Sequence, residues 1–206
     1  MSYQDRRAAG AILADALDKY GQRSDVVVLG LVRGGVPVAA EVARRLGAPL
    51  DALVVRKLGV PWAPEVAFGA LGPGDVIVRN EDIAHRLPES SITAVVRRES
   101  GELARRERRY RSGRPPLDLT DRVALLVDDG LATGATARAA VEVARRLGAA
   151  HVVVAVPVGS PIAIDQLRQV ADDVVCPVQP PHFDAVSRWY DDFGQVSDAE
   201  VSAILQ

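Results

Sequence analysis

The sequence predicts an α/β fold in three layers around a central, mostly parallel sheet, and three observations carry that prediction. Short apolar runs of strand length, such as Val26–Leu31 and Val123–Val127, alternate with stretches whose apolar residues recur at helical spacing. The runs are continuous rather than alternating, as in strands buried on both faces of a parallel sheet. Two of the helical stretches stop at glycines, Gly47 and Gly148, so that each returns the chain to a new strand.

The elements follow in order. Residues 5–20 place Ile12, Leu13, Ala16, Leu17 and Tyr20 on one helical face. Asp25–Leu31 is the first strand. A Gly-Gly turn leads into a helix with Pro37 near its first turn. Asp51–Arg56 is the second strand and Arg122–Val127 the third. A helix over about 136–147 and a strand at Val152–Val156 follow. A helix at about 161–171 and a short strand, Asp173–Cys176, complete the alternation. Residues 57–80 hold four glycines and three prolines and read as a long loop, functional or mobile, with one hairpin. Residues 91–112 read as a long Arg-rich helix. Residues 177–206 read as an irregular segment and a last helix, with Ser197 and Glu200 as a capping box.

Composition narrows the function classes. At 206 residues the chain is one domain by default, able to bury roughly 70% of its unfolded surface. An apolar content of 48% with 25% charged residues excludes a disordered chain. No apolar run approaches the ~18 residues of a membrane span, and no secretory signal precedes the first charges, so a cytoplasmic protein is expected. One cysteine, Cys176, excludes an internal disulfide framework and reads as a small buried hydrophobe. His85, His151 and His182 are too scattered for a metal site or a triad. A net charge of −2 argues against a nucleic-acid binder.

The chemistry concentrates in Leu125–Ala137, LLVDDGLATGATA. An apolar strand ends in two carboxylates, Asp128 and Asp129, at the strand end where open α/β sheets bind ligands. Adjacent carboxylates there can accept hydrogen bonds from a vicinal diol, directly or through waters on a hard cation. Ala132, Thr133, Gly134, Ala135 and Thr136 then bring backbone N–H groups and two hydroxyls to a helix N-terminus, an anion site suited to a phosphate monoester. A diol beside a phosphate describes a ribose 5-phosphate. The phosphate-loop pattern GxxxxGK[ST] is absent.

At these residues the chain resembles the type I phosphoribosyltransferases, whose signature is two acidic residues followed by a Thr-Gly turn. The resemblance implies the three-layer fold of that family, with a flexible loop and C-terminal hood elements. It implies one domain over 1–206, with a core of about 24–176, a flexible loop and helical insertion over about 57–114, and a hood or tail over about 177–206. Val32-Arg33-Gly34-Gly35 is similar to the family's diphosphate loop, whose strained backbone often includes a non-proline cis peptide. Arg56-Lys57 matches the basic residue that reaches the diphosphate. Lys57 is the better candidate, being one of two lysines among 25 basic residues. The loop after it would close over the active site, with Trp62 and Glu65 as contact candidates against a reading of plain packing and solvation.

What the resemblance implies is a Mg²⁺-dependent transfer of the 5-phosphoribosyl group from 5-phosphoribosyl 1-diphosphate to a nitrogen acceptor, in nucleotide salvage. Asp128 and Asp129 would hold the ribose hydroxyls and the metal's water shell, with no dedicated protein cage. Ala132–Thr136 would cradle the 5′-phosphate, while Arg33, Gly34, Gly35 and Lys57 meet the diphosphate. Purine enzymes of the type usually carry an acid where this chain has Ala132. Leu131–Gly134 is instead similar to the turn of uracil enzymes, though their C-terminal pattern is not evident. Arg33–Pro37, Arg56–Gly59 and Phe183–Gln195 resemble a bacterial group of phosphoribosyltransferases of unassigned acceptor. A homodimer is expected. The other readings are a donor-sensing regulator and a hydrolase of a phosphoribosyl compound.

Four of nine aromatics lie between 183 and 193. Phe183, Val186, Tyr190 and Phe193 read as a buried helical stripe, leaving His182 and Trp189 as hood contacts. Arg97–Arg114 holds eight arginines against three glutamates, a charge that could contact RNA or DNA and would serve a donor-sensing regulator. Glu102–Arg106 and Glu107–Arg111 are i,i+4 pairs, as on a solvated or dimer-interface helix.

Overall fold

A computed structural model describes residues 2–206. Five parallel strands form the central sheet: β1 (Val26–Leu31), β2 (Leu50–Leu53), β6 (Val123–Val127), β7 (His151–Ala155) and β8 (Asp173–Val175), in the order β2-β1-β6-β7-β8. Alternate residues of β1 and β6 serve opposite layers. Val26, Val28, Val123, Leu125 and Val127 pack against α1 (Arg6–Ala16) and α2 (Gly35–Leu46). Leu29, Leu31, Ala124 and Leu126 pack against α5 (Ala135–Arg146) and α6 (Pro161–Leu167). Both faces are covered, which is why these strands read as unbroken apolar runs. The three-layer α/β fold is as expected, and α2 ends on Gly47 in the left-handed conformation at φ 65°.

Strand order reverses between β1 and β6. From β1 the chain crosses outward through α2 to β2, and from β6 it crosses the other way through α5 to β7. The loops at the carboxyl ends of β1 and β6 therefore diverge and leave a crevice between them, the general ligand position in open α/β sheets.

The reading of 57–80 as a long loop is corrected, though the hairpin expected there is present. These residues form a three-stranded antiparallel sheet: β3 (Arg56–Val60), β4 (Ala63–Gly72) and β5 (Val76–Arg79). Leu58, Val60, Phe68, Leu71 and Val78 turn inward and are buried. Most of that face shares a core with Ile92, Val95, Leu103 and Tyr110 of α4 (Glu89–Tyr110), and with Val201 and Leu205 of α7 (Asp198–Leu205). The second parallel strand accordingly stops at Leu53, and Arg56 and Lys57 open the antiparallel sheet instead of ending β2.

The helical stripe at 183–193 is also corrected. Only Val186–Trp189 is helical, as a single 3₁₀ turn, with Ala185 and Tyr190 extended. The backbone here is committed to the chain start: Tyr3 N–H donates to Trp189 C=O, and Asp191 N–H to Tyr3 C=O. Its apolar residues still pack, around Tyr3, Ala9, Val158 and Tyr190. A short helix, α3 (Glu81–Ala84), precedes α4. Among the described residues no helix is long and apolar enough to cross a membrane.

Candidate functional site

The site is built where the β1 and β6 loops face each other. A Cβ on Gly34 would lie 2.2 Å from Asp129 Oδ2, and one on Gly35 would lie 2.3 Å from the Val127 carbonyl oxygen. Both glycines are therefore required for the two loops to touch. The Val32–Arg33 peptide is cis, as the resemblance implied. Arg33 extends from this loop toward α7, 3.6 Å from Asp198.

The carboxylate pair has a defined geometry. Asp129 N–H donates to Asp128 Oδ1 at 2.9 Å. Asp129 Oδ2 accepts from Arg6 Nε at 2.9 Å, and the Tyr190 hydroxyl donates to the Asp129 carbonyl. Burial and the neighbouring Asp129 charge push the Asp128 carboxyl well above the usual carboxylate range. Burial also raises Asp129, against the opposing pull of Arg6. Two shielded acids side by side repel, and each becomes easier to protonate. Burial and the Asp129 charge raise the Tyr190 phenol, so it stays a hydrogen-bond donor.

After β6, Gly134 adopts the left-handed conformation at φ 73° and α5 begins at Ala135 without a side-chain cap. Thr133 Oγ1 accepts only a long 3.5 Å bond from Ala135 N–H. The first-turn amides of this twelve-residue helix thus face outward, with the positive end of its dipole.

A cleft of about 470 Å³ joins these pieces, with Arg33, Gly34, Asp128, Asp129 and Thr136 along its lining. Of the phosphate-cradle candidates only Thr136 lines this cleft; Thr133, Gly134 and Ala135 line a separate pocket with Arg138 and Ala163, Ala132 is exposed on the turn, and Gly35 lies buried. Other candidates fall elsewhere. Arg56 donates two hydrogen bonds to Glu99 Oε2, at 2.9 and 2.6 Å, so it is engaged. Lys57 is exposed on β3, and Trp62 and Glu65 are exposed around the β3–β4 turn. His182 is exposed, and Trp189 packs against the Tyr3–Tyr190 cluster. None of these six lines the cleft.

Sequence reasoning missed Arg6 and the segment Phe193–Val196, which form the opposite wall. One signal was present. Arg6 opens a helix with no acid in its first turn, where the dipole disfavours a cation.

The chemistry of the cleft fits a hard cation held through water. Among the described residues, neither Asp128 Oδ2 nor Asp129 Oδ1 has a hydrogen-bond partner. Among the described residues no group of three or more histidine, cysteine or acidic side chains is gathered as a metal cage.

The family model described as "phosphoribosyl transferase domain" matches residues 2–192. The chain belongs to the phosphoribosyl transferase family. A provisionally named phosphoribosyl transferase of Mycobacterium tuberculosis H37Rv is 51% identical over 205 residues, covering 98% of this chain and 46% of that protein. The chain thus spans less than half the length of the curated relatives it matches. The crystal structure of TT1426 from Thermus thermophilus is 47% identical with a TM-score of 0.92, covering 100% of this chain and 98% of that one. AQ2163 from Aquifex aeolicus shares the fold alone, at 10% identity and a TM-score of 0.50, over 87% of this chain and 76% of that one.

Proposed function

We propose that this phosphoribosyl transferase family member moves the 5-phosphoribosyl group from 5-phosphoribosyl 1-diphosphate to a nitrogen nucleophile, most simply a nucleobase. The observation that carries the reading is the single cleft lined by Arg33, Gly34, Asp128, Asp129 and Thr136. Its three chemistries match three parts of one donor. The Asp128 and Asp129 carboxylates accept from the ribose diol. Ala132–Thr136 meet the 5′-phosphate with the N-terminal amides of α5. Arg33 and the Gly34–Gly35 backbone meet the diphosphate, and Lys57, on β3 outside the cleft lining, is the candidate the geometry supports least.

In the reaction the C1–oxygen bond breaks with its electron pair leaving on diphosphate, a C1–nitrogen bond forms, and the acceptor nitrogen sheds its proton to solvent. Asp128 and Asp129 would hold a magnesium ion through its water shell, and that ion would supply positive charge to the leaving diphosphate. Arg33 would add positive charge to the same group on leaving its ion pair with Asp198. The pair Asp128–Asp129 holds the ring against rotation while C1 moves between leaving group and acceptor.

The regulator reading finds less support. Four arginines of the Arg-rich helix α4 are paired within the protein. Arg105 and Arg106 pair with Glu102, Arg98 with Glu99, and Arg109 with Asp198. An arginine held by a carboxylate must surrender that partner before it meets a phosphate backbone.

The test is a calorimetric titration of 5-phosphoribosyl 1-diphosphate with and without Mg²⁺. Micromolar, Mg²⁺-dependent binding supports the donor site and opens a screen of nucleobases for diphosphate release. No binding at millimolar donor overturns the proposal. Release of free ribose 5-phosphate without an acceptor identifies a hydrolase instead.

A further inference from the structure

Arg6 belongs to none of the motif loops, yet it is fixed in the cleft wall from three directions. Its Nε donates to Asp129 Oδ2 at 2.9 Å and its Nη1 to the Gly194 carbonyl at 2.8 Å. Its guanidinium lies 4.0 Å from the centre of the Phe193 ring. The side chain is only 12% exposed, and that of Asp129 only 15%. This bond joins residues 123 positions apart. A cation in the first turn of a helix opposes the dipole, so position alone does not favour an arginine there. What it gains is Asp129.

Asp129 needs such a partner. Its carboxylate stands next to that of Asp128, whose Oδ1 is occupied by the Asp129 amide. Without a fixed positive charge the pair would repel and the Asp129 side chain would turn away. With Arg6 on Oδ2, the carboxylate is pinned by one oxygen while the other, Oδ1, keeps no protein partner among the described residues. Phe193 and Gly194 in turn hold the guanidinium in the cleft wall.

We infer that Arg6 is a positioning residue of the donor site. It orients the Asp129 carboxylate toward the ribose diol, and the Phe193–Gly194 segment is its support. The inference rests on the proposed function and makes a narrower claim. Arg6 matters to ligands that carry the diol and is indifferent to ligands that occupy only the diphosphate loop.

The experiment uses the full chain and two probes, 5-phosphoribosyl 1-diphosphate with Mg²⁺ and inorganic diphosphate without Mg²⁺, titrated by calorimetry. The proteins are wild type, Arg6→Met, Arg6→Lys, and Arg7→Met as an exposed neighbour on the same helix. Arg6→Met is expected to bind the phosphoribosyl donor at least tenfold more weakly and inorganic diphosphate within twofold of wild type. Arg6→Lys should recover part of the loss, because an ammonium keeps the charge without the two-pronged geometry. Arg7→Met should match wild type. Should Arg6→Met fail to fold, Phe193→Leu removes the support and keeps the charge, with a loss of about threefold expected for the donor alone. Unchanged or tighter donor binding by the Arg6 and Phe193 variants overturns the inference. So does an equal loss for both probes, which would mark Arg6 as a general structural residue. If wild type itself binds neither probe, the proposed function fails, and this inference with it.

Discussion

Two glycine-rich stretches of this chain look alike in sequence and do opposite work. Gly30–Gly35 lets two loops touch: side chains on Gly34 and Gly35 would collide with the Asp129 carboxylate and the Val127 carbonyl. In the second stretch, residues 57–80, Gly69 and Gly72 are packing devices inside a sheet. A Cβ on Gly69 would lie 2.3 Å from the Val78 carbonyl oxygen, and one on Gly72 would lie 2.2 Å from Val143 of α5. The first stretch makes the cleft, and the second makes the platform beside it. Glycine alone does not distinguish a loop from a close-packed strand. The residues between the glycines do, and in β4 those include the wholly buried Phe68 and Leu71.

The sharpest way to break this contrast is Phe68→Ala. Phe68 is completely buried in the core shared by β4, α4 and α7. Its truncation should cost about 3–5 kcal/mol by denaturant unfolding. A mobile loop at this place would lose less than about 1 kcal/mol, and that result would return residues 57–80 to the flexible-loop reading.

Asp128→Asn and Asp129→Asn address the other stretch. Each should weaken donor binding roughly 10–100-fold, from hydrogen bonds to charged groups worth about 1.5–3 kcal/mol. Stability should move the other way. Burial and mutual repulsion raise the Asp128 carboxyl, so its charge opposes folding near neutrality. The Asn carbonyl retains the bond from the Asp129 amide. The Asp128→Asn protein should therefore melt at or above the wild-type temperature at pH 7. A lower Tm together with unaltered donor affinity would show that the pair is framework rather than site.

Alanine at one glycine of each stretch makes the comparison direct. Gly34→Ala should displace the Asp129 carboxylate and weaken donor binding about tenfold, with a small effect on Tm. Gly72→Ala should leave donor affinity within twofold and cost about 1–3 kcal/mol through overpacking, a fall of roughly 2–10 °C in Tm. Equal effects of the two on both measurements would erase the distinction.

The same contrast explains what was legible in the sequence. β1 and β6 announced themselves because burial on both faces demands unbroken apolar residues. Asp128–Thr136 announced itself because its chemistry is contiguous. The antiparallel sheet was hidden because Gly and Pro were weighed as breakers, while its register shifts at Leu58–Val60 blur the alternation that marks a half-buried strand. Arg6 and Phe193 were hidden for a different reason. Arg6 meets Asp129 across 123 residues and Gly194 across 188, and no local spacing encodes such contacts. The stripe at 183–193 packs as expected but not as an α-helix, since its backbone bonds are taken by Tyr3 and Gln4.

Carboxylates sharpen the comparison once more, with the smallest expected effect. Glu41 on α2 belongs to the framework, and its environment inverts that of Asp128. Arg44 and Arg45 both donate to it, at distances of 2.6–3.0 Å. They hold its carboxyl down from an ordinary 4.5 to about 2, chiefly through the Arg44 hydrogen bonds. A carboxyl lowered in the folded state stabilises the fold above its unfolded value and loses that contribution as pH falls through the folded value. The stability difference between wild type and Glu41→Gln should therefore be constant above about pH 5 and shrink between 4.5 and 2. For Asp128→Asn the sign reverses, because a raised carboxyl penalises folding only once it ionises. Its stability advantage over wild type should grow, not shrink, as pH rises from the acid side. Parallel slopes for the two variants would mean that the site carboxylates are paired like those of the framework, and that the cleft lacks the repulsion that Arg6 is inferred to hold in check.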